Sequence, residues 1–268
     1  MKLRKQLRVQ PGGPVELSKR DPGQTFGWEK SAVAKHLEQN SARLAALQLR
    51  LFAEGQHALL IILQGMDASG KDGTVRHVMS GINPASCRVH SFKVPTAEEA
   101  HHDYLWRIHH LVPARGEIGI FNRSHYEDVL VVRVRELVPK AVWKRRYHQI
   151  NDFEQMLTEN GVTILKFFLH LDKAEQRDRL QARLEDPAKN WKFERGDLDV
   201  RRQWDDYQRA YEAALTQCST QWAPWYVVPA NKKWFRNLAV SEIVCATLED
   251  IDPQFPKPLP GLSKIRVV

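Results

Sequence analysis

The 268-residue sequence is poor in cysteine and has no long apolar run. Its three cysteines, Cys87, Cys218 and Cys245, lie far apart and form no C-x-x-C pair, which argues against a disulfide framework and against a zinc cluster. No stretch approaches the roughly 20 apolar residues that span a bilayer, and the basic N-terminus lacks the apolar core of a signal peptide. We therefore expect a soluble cytoplasmic protein with no membrane partner.

Acidic residues are fewer than basic ones: the chain has 32 Asp and Glu and 40 Lys and Arg, which gives a net charge of +8. A basic protein favours a polyanionic partner, although charge alone does not choose between nucleic acid, nucleotide and polyphosphate. The hydrophobic content of 43% suits one sizeable core. The composition therefore predicts one α/β domain with attachments.

Short apolar runs alternate with helical patterns along the chain. Such runs, buried on both faces, are typical of parallel strands joined by helices. The sequence therefore predicts an α/β fold with a doubly wound, five-stranded parallel sheet in a domain over residues 28–252. The predicted strands cover residues 58–63, 87–92, 117–122, 162–171 and 224–230. A long amphipathic helix should precede them from Trp28 to about Glu54, and the Pro-rich segments 1–27 and 253–268 are expected to be extended arms.

The strongest motif is GMDASGKDGT, residues 65–74, directly after the first predicted strand. The spacing from Gly65 to Gly70 and Lys71 is that of a phosphate-binding loop, in which backbone N–H groups and the lysine hold phosphate oxygens. The alternative interpretation is a glycine-rich turn that only connects the strand to the helix and binds no phosphate. The candidate phosphate contacts are Ala68, Ser69, Gly70, Lys71, Asp72, Gly73 and Thr74.

This loop departs from the common pattern at two carboxylates. Asp72 stands where a Ser or Thr hydroxyl usually binds Mg²⁺, and the nearest later hydroxyl is Thr74. Asp67 would repel bound phosphates unless a metal ion lay between them. We therefore predict that Asp67 is a Mg²⁺ ligand, with Mn²⁺ as an alternative ion.

The second motif, IFNRSHYEDVLVVRV (residues 120–134), begins at the end of the third predicted strand. Ligands of open α/β sheets bind beyond the carboxyl ends of strands, so this segment should face the phosphates. A salt-bridged helix start is the alternative interpretation. Arg123 joins Asp67 and Lys71 as the predicted catalytic residues. The other candidates are Asn122, Glu127 and Asp128 for the nucleotide, Asp128 also for the metal, and Arg133 for phosphate.

A basic stretch over residues 176–209 follows the fourth strand. Arg179 and Arg183 are four residues apart and would share one helical face, which suits a long polyanion. A solvated charged face is the alternative for any one of these cations. The candidate polyphosphate contacts are Arg179, Arg183, Lys189 and Lys192. We also expect Trp191 and Phe193, on either side of Lys192, to pack on the body of the protein. Lys93, after the second strand, is a candidate nucleotide contact.

Taken in order, three segments resemble the family-2 polyphosphate kinases across about residues 30–250. They are the loop G-x-D-x-x-G-K-D-G, the segment FNRSHYEDVL, and NWKFERGDL followed by RRQWDDYQRAYEAAL. The first two classes of that family usually read Asp-Arg-Ser-Trp-Tyr-Asn-Arg at the second motif, whereas this chain begins it with Asn122 and ends it with Glu127 and Asp128. In this respect the chain resembles the third class, whose members phosphorylate both AMP and ADP.

The resemblance implies a phosphoryl transfer from inorganic polyphosphate to AMP or ADP, with the preferred direction left open. It implies a helical lid over the site, in which positions resembling Arg183, Lys189 and Lys192 line a polyphosphate channel. It also implies Mg²⁺, adenine nucleotides with guanine nucleotides as a further class, and a homodimer or homotetramer. A neutral Asn122 would be a poorer Mg²⁺ ligand than the Asp it replaces.

Two other functions agree with a phosphate loop in a basic chain. An ATP-dependent nucleotide kinase would have a similar loop and lid, but the many cations of the lid favour a donor with more phosphates than ATP. A nucleic-acid-binding ATPase would more often interleave exposed aromatic and basic residues along a groove. We expect no nucleic-acid partner.

Overall fold

The computed structural model describes residues 2–262 and 265–266, and its centre is a five-stranded, wholly parallel sheet. The predicted doubly wound arrangement is confirmed, with strand ends within a few residues of those expected. The strands are β1 (Ala58–Gln64), β2 (Cys87–Ser91), β3 (Ile118–Asn122), β4 (Val162–His170) and β5 (Trp225–Pro229).

The strand order is β2-β3-β1-β4-β5, so β1 lies in the middle. Leu63 near the end of β1 is paired with Asn122 at the end of β3 on one side and with Phe167 of β4 on the other. The segments that leave β1 and β3 therefore start side by side at one edge of the sheet. This edge, at the carboxyl ends of the strands, is where open parallel sheets bind ligands.

Helices cover both faces of the sheet. The longer ones are α2 (Lys30–Glu54), α3 (Lys71–Val78), α7 (Lys140–Glu159), α8 (Lys173–Glu185), α10 (Trp204–Gln217) and α11 (Lys233–Ile251). The shorter ones are α1 (Lys2–Leu7), α4 (Ala97–His101), α5 (Trp106–His109), α6 (Val131–Val134) and α9 (Gly196–Arg202). No helix in the described residues is both long and apolar enough to cross a membrane.

Alternate side chains of β1 enter two separate cores. Leu59, Ile61 and Leu63 pack on the side of α2 and α11, while Leu60 and Ile62 pack on the side of α7 and α10. Successive side chains of a strand point to opposite faces, so a strand covered on both faces must be apolar throughout. This explains the continuous apolar run at residues 58–63.

The first residues of the chain differ from the extended arm that the sequence predicts. Leu3 and Leu7 of α1 are buried in the core on the α11 side. The chain then passes antiparallel to the edge strand β5, where the Val9 N–H donates to the Trp225 carbonyl at 2.8 Å. Covering an edge strand in this way protects its unpaired backbone groups. At the other end, residues 263–264 and 267–268 of the predicted arm lie outside the described residues.

A fully buried polar network lies beneath the second motif. The ammonium of Lys166 on β4 contacts the Glu154 carboxylate of α7 and donates to the Tyr126 hydroxyl at 2.8 Å. Tyr126 in turn donates to Glu154 at 2.9 Å, and His125 Nε2 lies 3.3 Å from the same carboxylate. Burial of a charge is tolerated when it is paired and hydrogen-bonded in this way. The network fixes the backbone of residues 125–126 and hence the site residues on either side of it.

Candidate active site

The loop of residues 65–70 wraps around the ammonium group of Lys71. Lys71 Nζ donates to the Gly65 carbonyl at 2.7 Å and lies 3.3 Å from the Met66 carbonyl. Gly70 has a φ of +100° and is the N-cap of α3, so the free N–H groups of the first helical turn lie at the loop. The geometry is that of an anion-binding loop.

Lys71 is 9% exposed, and this burial lowers the pKa of its ammonium group to about 8. The nearby Arg123 lowers the pKa further, while the Asp67 carboxylate opposes the shift. A cation that is desolvated and lies beside another cation is stabilised by any anion that enters the site. Lys71 is therefore prepared to bind a phosphate group.

Arg123 follows β3 and joins the two motifs. Its backbone N–H donates to the Leu63 carbonyl at 3.0 Å, and its φ of +63° turns the chain sharply over the loop. The guanidinium donates to Asp67 at 2.8 Å and to Glu127 at 3.4 Å. Glu127, with a smaller effect of Asp67, raises the Arg123 pKa. The sequence-predicted catalytic residues Asp67, Lys71 and Arg123 thus meet in one place.

The other two carboxylates have different partners. Asn122 Nδ2 donates to Asp72 at 2.6 Å across the gap between the two motifs. Asp128 accepts from Arg146 of α7 at 2.8 Å, and burial raises the Asp128 pKa to about 6 against the effect of Arg146. The predicted metal ligands Asp67 and Asp128 are therefore held by two different arginines.

Within the described part of the chain, no three His, Cys, Asp or Glu side chains gather into a ready metal site. Asp67 lies in the loop and Asp72 lies beside it in the first turn of α3, where a carboxylate can share an ion with bound phosphates. Mg²⁺ commonly keeps waters and takes one or two carboxylates together with substrate phosphate oxygens. The acidic residues of the loop fit that mode of binding.

The family model described as "Polyphosphate kinase 2 (PPK2)" matches residues 27–256. The chain belongs to this family. It is 56% identical to the AMP/ADP-polyphosphate phosphotransferase of Meiothermus ruber, over 97% of this chain and 98% of that protein. It is 46% identical to the ADP-polyphosphate phosphotransferase of Rhodopseudomonas palustris, over 98% and 96%. The crystal structure of polyphosphate kinase 2 from Arthrobacter aurescens TC1 is similar, with a TM-score of 0.93 and 46% identity over 98% of this chain and 94% of that one.

The hydroxyl groups of Ser69 and Thr74 are both buried. The Thr74 side chain is buried in α3 and donates to the Gly70 carbonyl at 3.1 Å, so it is not directed at the phosphate space. The Ser69 hydroxyl is fully buried and makes no hydrogen bond within the described residues. A helical Thr commonly bonds back to a carbonyl four residues earlier. Thr74 is therefore a structural part of the first turn.

The segment predicted as a lid is helical on both sides of a loop, from α8 through α9 into α10. Arg183 lies 3.6 Å from the buried Asp197 carboxylate and 3.4 Å from the Lys192 carbonyl, which ties α8 to the loop and to α9. Lys189 is paired with Asp186, and Lys192 is exposed. The prediction that Trp191 packs down on the body is wrong, because its side chain is 76% exposed.

Two predicted phosphate contacts, Arg133 and Arg179, have side-chain partners other than phosphate, and the predicted nucleotide contact Lys93 is exposed. Arg133 donates to the Tyr147 hydroxyl at 3.1 Å and stacks on Trp143, both on α7. Lys93 is exposed beyond the edge strand β2, and its carbonyl accepts from Arg107. Arg179 is directed at backbone carbonyls of the phosphate loop. The Arg133 and Arg179 side chains are therefore not directed at the phosphate space, whereas the role of Lys93 stays a prediction.

Two residues behind the loop were not identified from the sequence. Arg236 of α11 donates to the Ser69 carbonyl at 3.1 Å, and Gln176 of α8 donates to the Asp67 carbonyl at 3.0 Å. Each comes from a segment far along the chain, with no motif around it. One weak sequence signal indicates that Arg236 has a specific partner: it is a charged residue in the largely apolar helix KWFRNLAVSEIVCATLEDI.

Proposed function

We propose that this protein transfers a phosphoryl group from inorganic polyphosphate to AMP and ADP, and that the reaction depends on Mg²⁺. Two relatives match over nearly the full length of both chains; one is named as a polyphosphate phosphotransferase for AMP and ADP, and the other as one for ADP. One 32% identical relative, from Corynebacterium glutamicum, is named for GDP, which supports guanine nucleotides as further acceptors. The observation that carries the proposal is the convergence of Lys71 and Arg123 above an anion-binding loop.

The chemistry needs little more than this arrangement. The terminal phosphate of AMP or ADP is largely ionised at neutral pH, so its oxygen attacks without a strong general base. Catalysis then depends on holding donor and acceptor in line and on neutralising the charge on the transferred group. Lys71 and Arg123 supply two fixed cations, and the exposed Lys192 supplies a further cation for a long polyanion.

Bound Mg²⁺ would supply further charge neutralisation to the phosphates. Asp67 and Asp128 are the predicted residues that would hold it, although Asp128 accepts from Arg146 on α7. Asp72 is a further candidate close to Asp67, and the Asn122 amide donates to its carboxylate at 2.6 Å. Asp67 also accepts a hydrogen bond from Arg123 at 2.8 Å, and a bound phosphate would give this guanidinium a second anionic partner.

The decisive experiment incubates the purified protein with polyphosphate and either AMP or ADP, with and without Mg²⁺, and follows ADP and ATP formation. Parallel reactions replace polyphosphate by ATP as the donor to AMP. We expect transfer from polyphosphate that requires the metal and is abolished in the Lys71→Ala variant. Transfer supported by ATP alone would instead identify an ATP-dependent nucleotide kinase.

A competition assay separates this function from nucleic-acid binding. Polyphosphate should displace labelled single-stranded DNA or RNA from the basic surface at far lower phosphate concentrations than the reverse. Stronger binding of the nucleic acid would favour the ATPase alternative.

We place the reaction in the cytoplasm and propose a homodimer or homotetramer. Sedimentation of the protein at assay concentrations would test the oligomeric state.

A further inference from the structure

Two arginines from separate helices contact the carbonyl side of the phosphate loop. Arg179 of α8 donates from Nη1 to the carbonyls of Ala68 at 2.9 Å and Ser69 at 3.2 Å. Arg236 of α11 donates from its own Nη1 to the same Ser69 carbonyl at 3.1 Å. Peptide carbonyls and N–H groups point in opposite directions, so binding the carbonyls on one side presents N–H groups on the other.

The guanidinium of Arg179 has no free hydrogen-bond donor for a phosphate. Besides the two loop carbonyls, Nη2 donates to the carbonyls of Ala230 at 2.6 Å and Asn231 at 2.9 Å. The Nε–H donates to Glu175 at 2.8 Å. These five contacts match the five N–H bonds of an arginine, and the side chain is only 9% exposed. Arg179 therefore joins α8, the loop and the segment after β5.

Arg236 fits into the space that Gly70 leaves by having no side chain. A Cβ atom on Gly70 would lie 1.8 Å from Arg236 Nη1, which is far inside any permitted contact. The side chain is 2% exposed, and its remaining donors face the Asn237 amide oxygen at 3.2 and 2.9 Å. Burial and, less strongly, Arg179 lower the Arg236 pKa to about 10. Gly70 thus serves the packing behind the loop as well as its turn.

We propose that Arg179 and Arg236 are positioning residues that hold the loop carbonyls and so direct the loop N–H groups at the substrate phosphates. Because Arg179 lies on α8, the same contact fixes the base of the lid segment to the loop. This role rests on the proposed function for its kinetic consequences, but the contacts themselves concern any phosphate chain that the loop binds.

The test uses Arg179→Met, Arg236→Met, the double variant and the two Lys variants, with Arg177→Met as control. Arg177 lies on the same helix, is exposed, and contacts only its neighbour Asp178 within the described residues. The measurements are kcat and KM with short and long polyphosphate, and the calorimetric affinity for inorganic tripolyphosphate. Circular dichroism checks that each variant folds.

Each Met variant should lose on the order of 10- to 100-fold in kcat/KM, because small displacements of a phosphate cradle are costly to the reaction. The factor should be the same for short and long chains, and tripolyphosphate affinity should fall in parallel. The double variant should lose less than the product of the two single losses, since both arginines hold the Ser69 carbonyl. The Lys variants should recover little, because an ammonium group cannot fork between carbonyls.

Full recovery of kcat/KM in Arg179→Lys would show a simple charge effect and overturn the proposal. So would a loss confined to the KM for polyphosphate that grows with chain length, or losses that multiply independently. If a Met variant does not fold, the kcat/KM values of the Lys variants decide between a positioning role and a simple charge effect. If the wild-type protein does not use polyphosphate at all, the tripolyphosphate affinities still decide whether the two arginines position the loop.

Discussion

Arg123 donates a hydrogen bond to the Asp67 carboxylate at 2.8 Å, although the two residues belong to different motifs and are 56 positions apart. The contact brings the cation of the second motif to the acidic residue of the phosphate loop. Glu127 contacts the other end of the same guanidinium at 3.4 Å. The hydrogen bonds to Asp67 and Glu127 hold the Arg123 guanidinium at the phosphate loop, and preorganised cations of this kind stabilise charge in phosphoryl transfer.

Replacement of Lys71 by Ala should lower kcat by at least about 100-fold, the loss typical of removing one preorganised charge-stabilising donor. The fold should not suffer, because the burial that lowers the Lys71 pKa makes this charge costly in the native state. Steady-state kinetics and thermal unfolding check the two expectations. An unfolding midpoint that falls by more than about 5 °C would mean that Lys71 mainly supports the fold.

Activity should fall on the alkaline side near pH 8. With its pKa lowered to about 8, Lys71 in the free enzyme loses its charge as the pH rises through that value. Bound phosphate favours the charged form, so the alkaline limb of kcat should lie at a higher pH than that of kcat/KM. Full pH profiles of both constants test this. Coincident limbs would assign the limb to another group.

The same shift has a consequence for stability. The folded-state pKa of Lys71 lies below its unfolded value, so the unfolded chain binds more protons between about pH 8 and pH 10.5. In that window this one group makes the free energy of unfolding increase with pH. Urea unfolding of the wild type and of Lys71→Ala at pH 7.5 and pH 10 isolates the effect. From the lower to the higher pH, the free energy of unfolding of the wild type should increase relative to that of the variant.

Asp67→Asn should raise the Mg²⁺ concentration for half-maximal rate about tenfold, because the variant loses a carboxylate ligand while keeping its size. Glu127→Gln is the matched control, since Glu127 contacts the same Arg123 guanidinium. A Mg²⁺ titration at a fixed nucleotide concentration gives the half-maximal Mg²⁺ concentration of both variants. Equal shifts in both variants would indicate that misplacement of Arg123, and not loss of a metal ligand, is responsible.

Lys192→Ala should raise the KM for polyphosphate several-fold and leave the KM for AMP unchanged. Its exposed ammonium attracts a polyanion through solvent, so the effect should shrink as ionic strength increases. Arg177→Ala is the control, an exposed cation of the same segment already paired with Asp178. Equal changes in the two variants would show that only total charge matters.

Local sequence determined the strands, the phosphate loop and the turn after β3. A continuous apolar run has to be buried on both faces, and glycines at positions 65 and 70 permit a backbone path that other residues resist. These signals are contained in a few consecutive residues. The position of Lys71 and Arg123 at the carboxyl ends of strands also followed from the sequence, whereas the strand order that makes β1 and β3 neighbours came from the structure.

Tertiary structure alone decided which cations face the ligand. Arg179 and Arg183 are one helical turn apart and equivalent in the sequence, yet the first is saturated by backbone carbonyls and the second pairs with Asp197. Arg236 was not predicted because its partner, the Ser69 carbonyl, is 167 residues away. A side chain's role depends on which donors and acceptors the fold places within about 3 Å, and spacing along the chain does not contain that information.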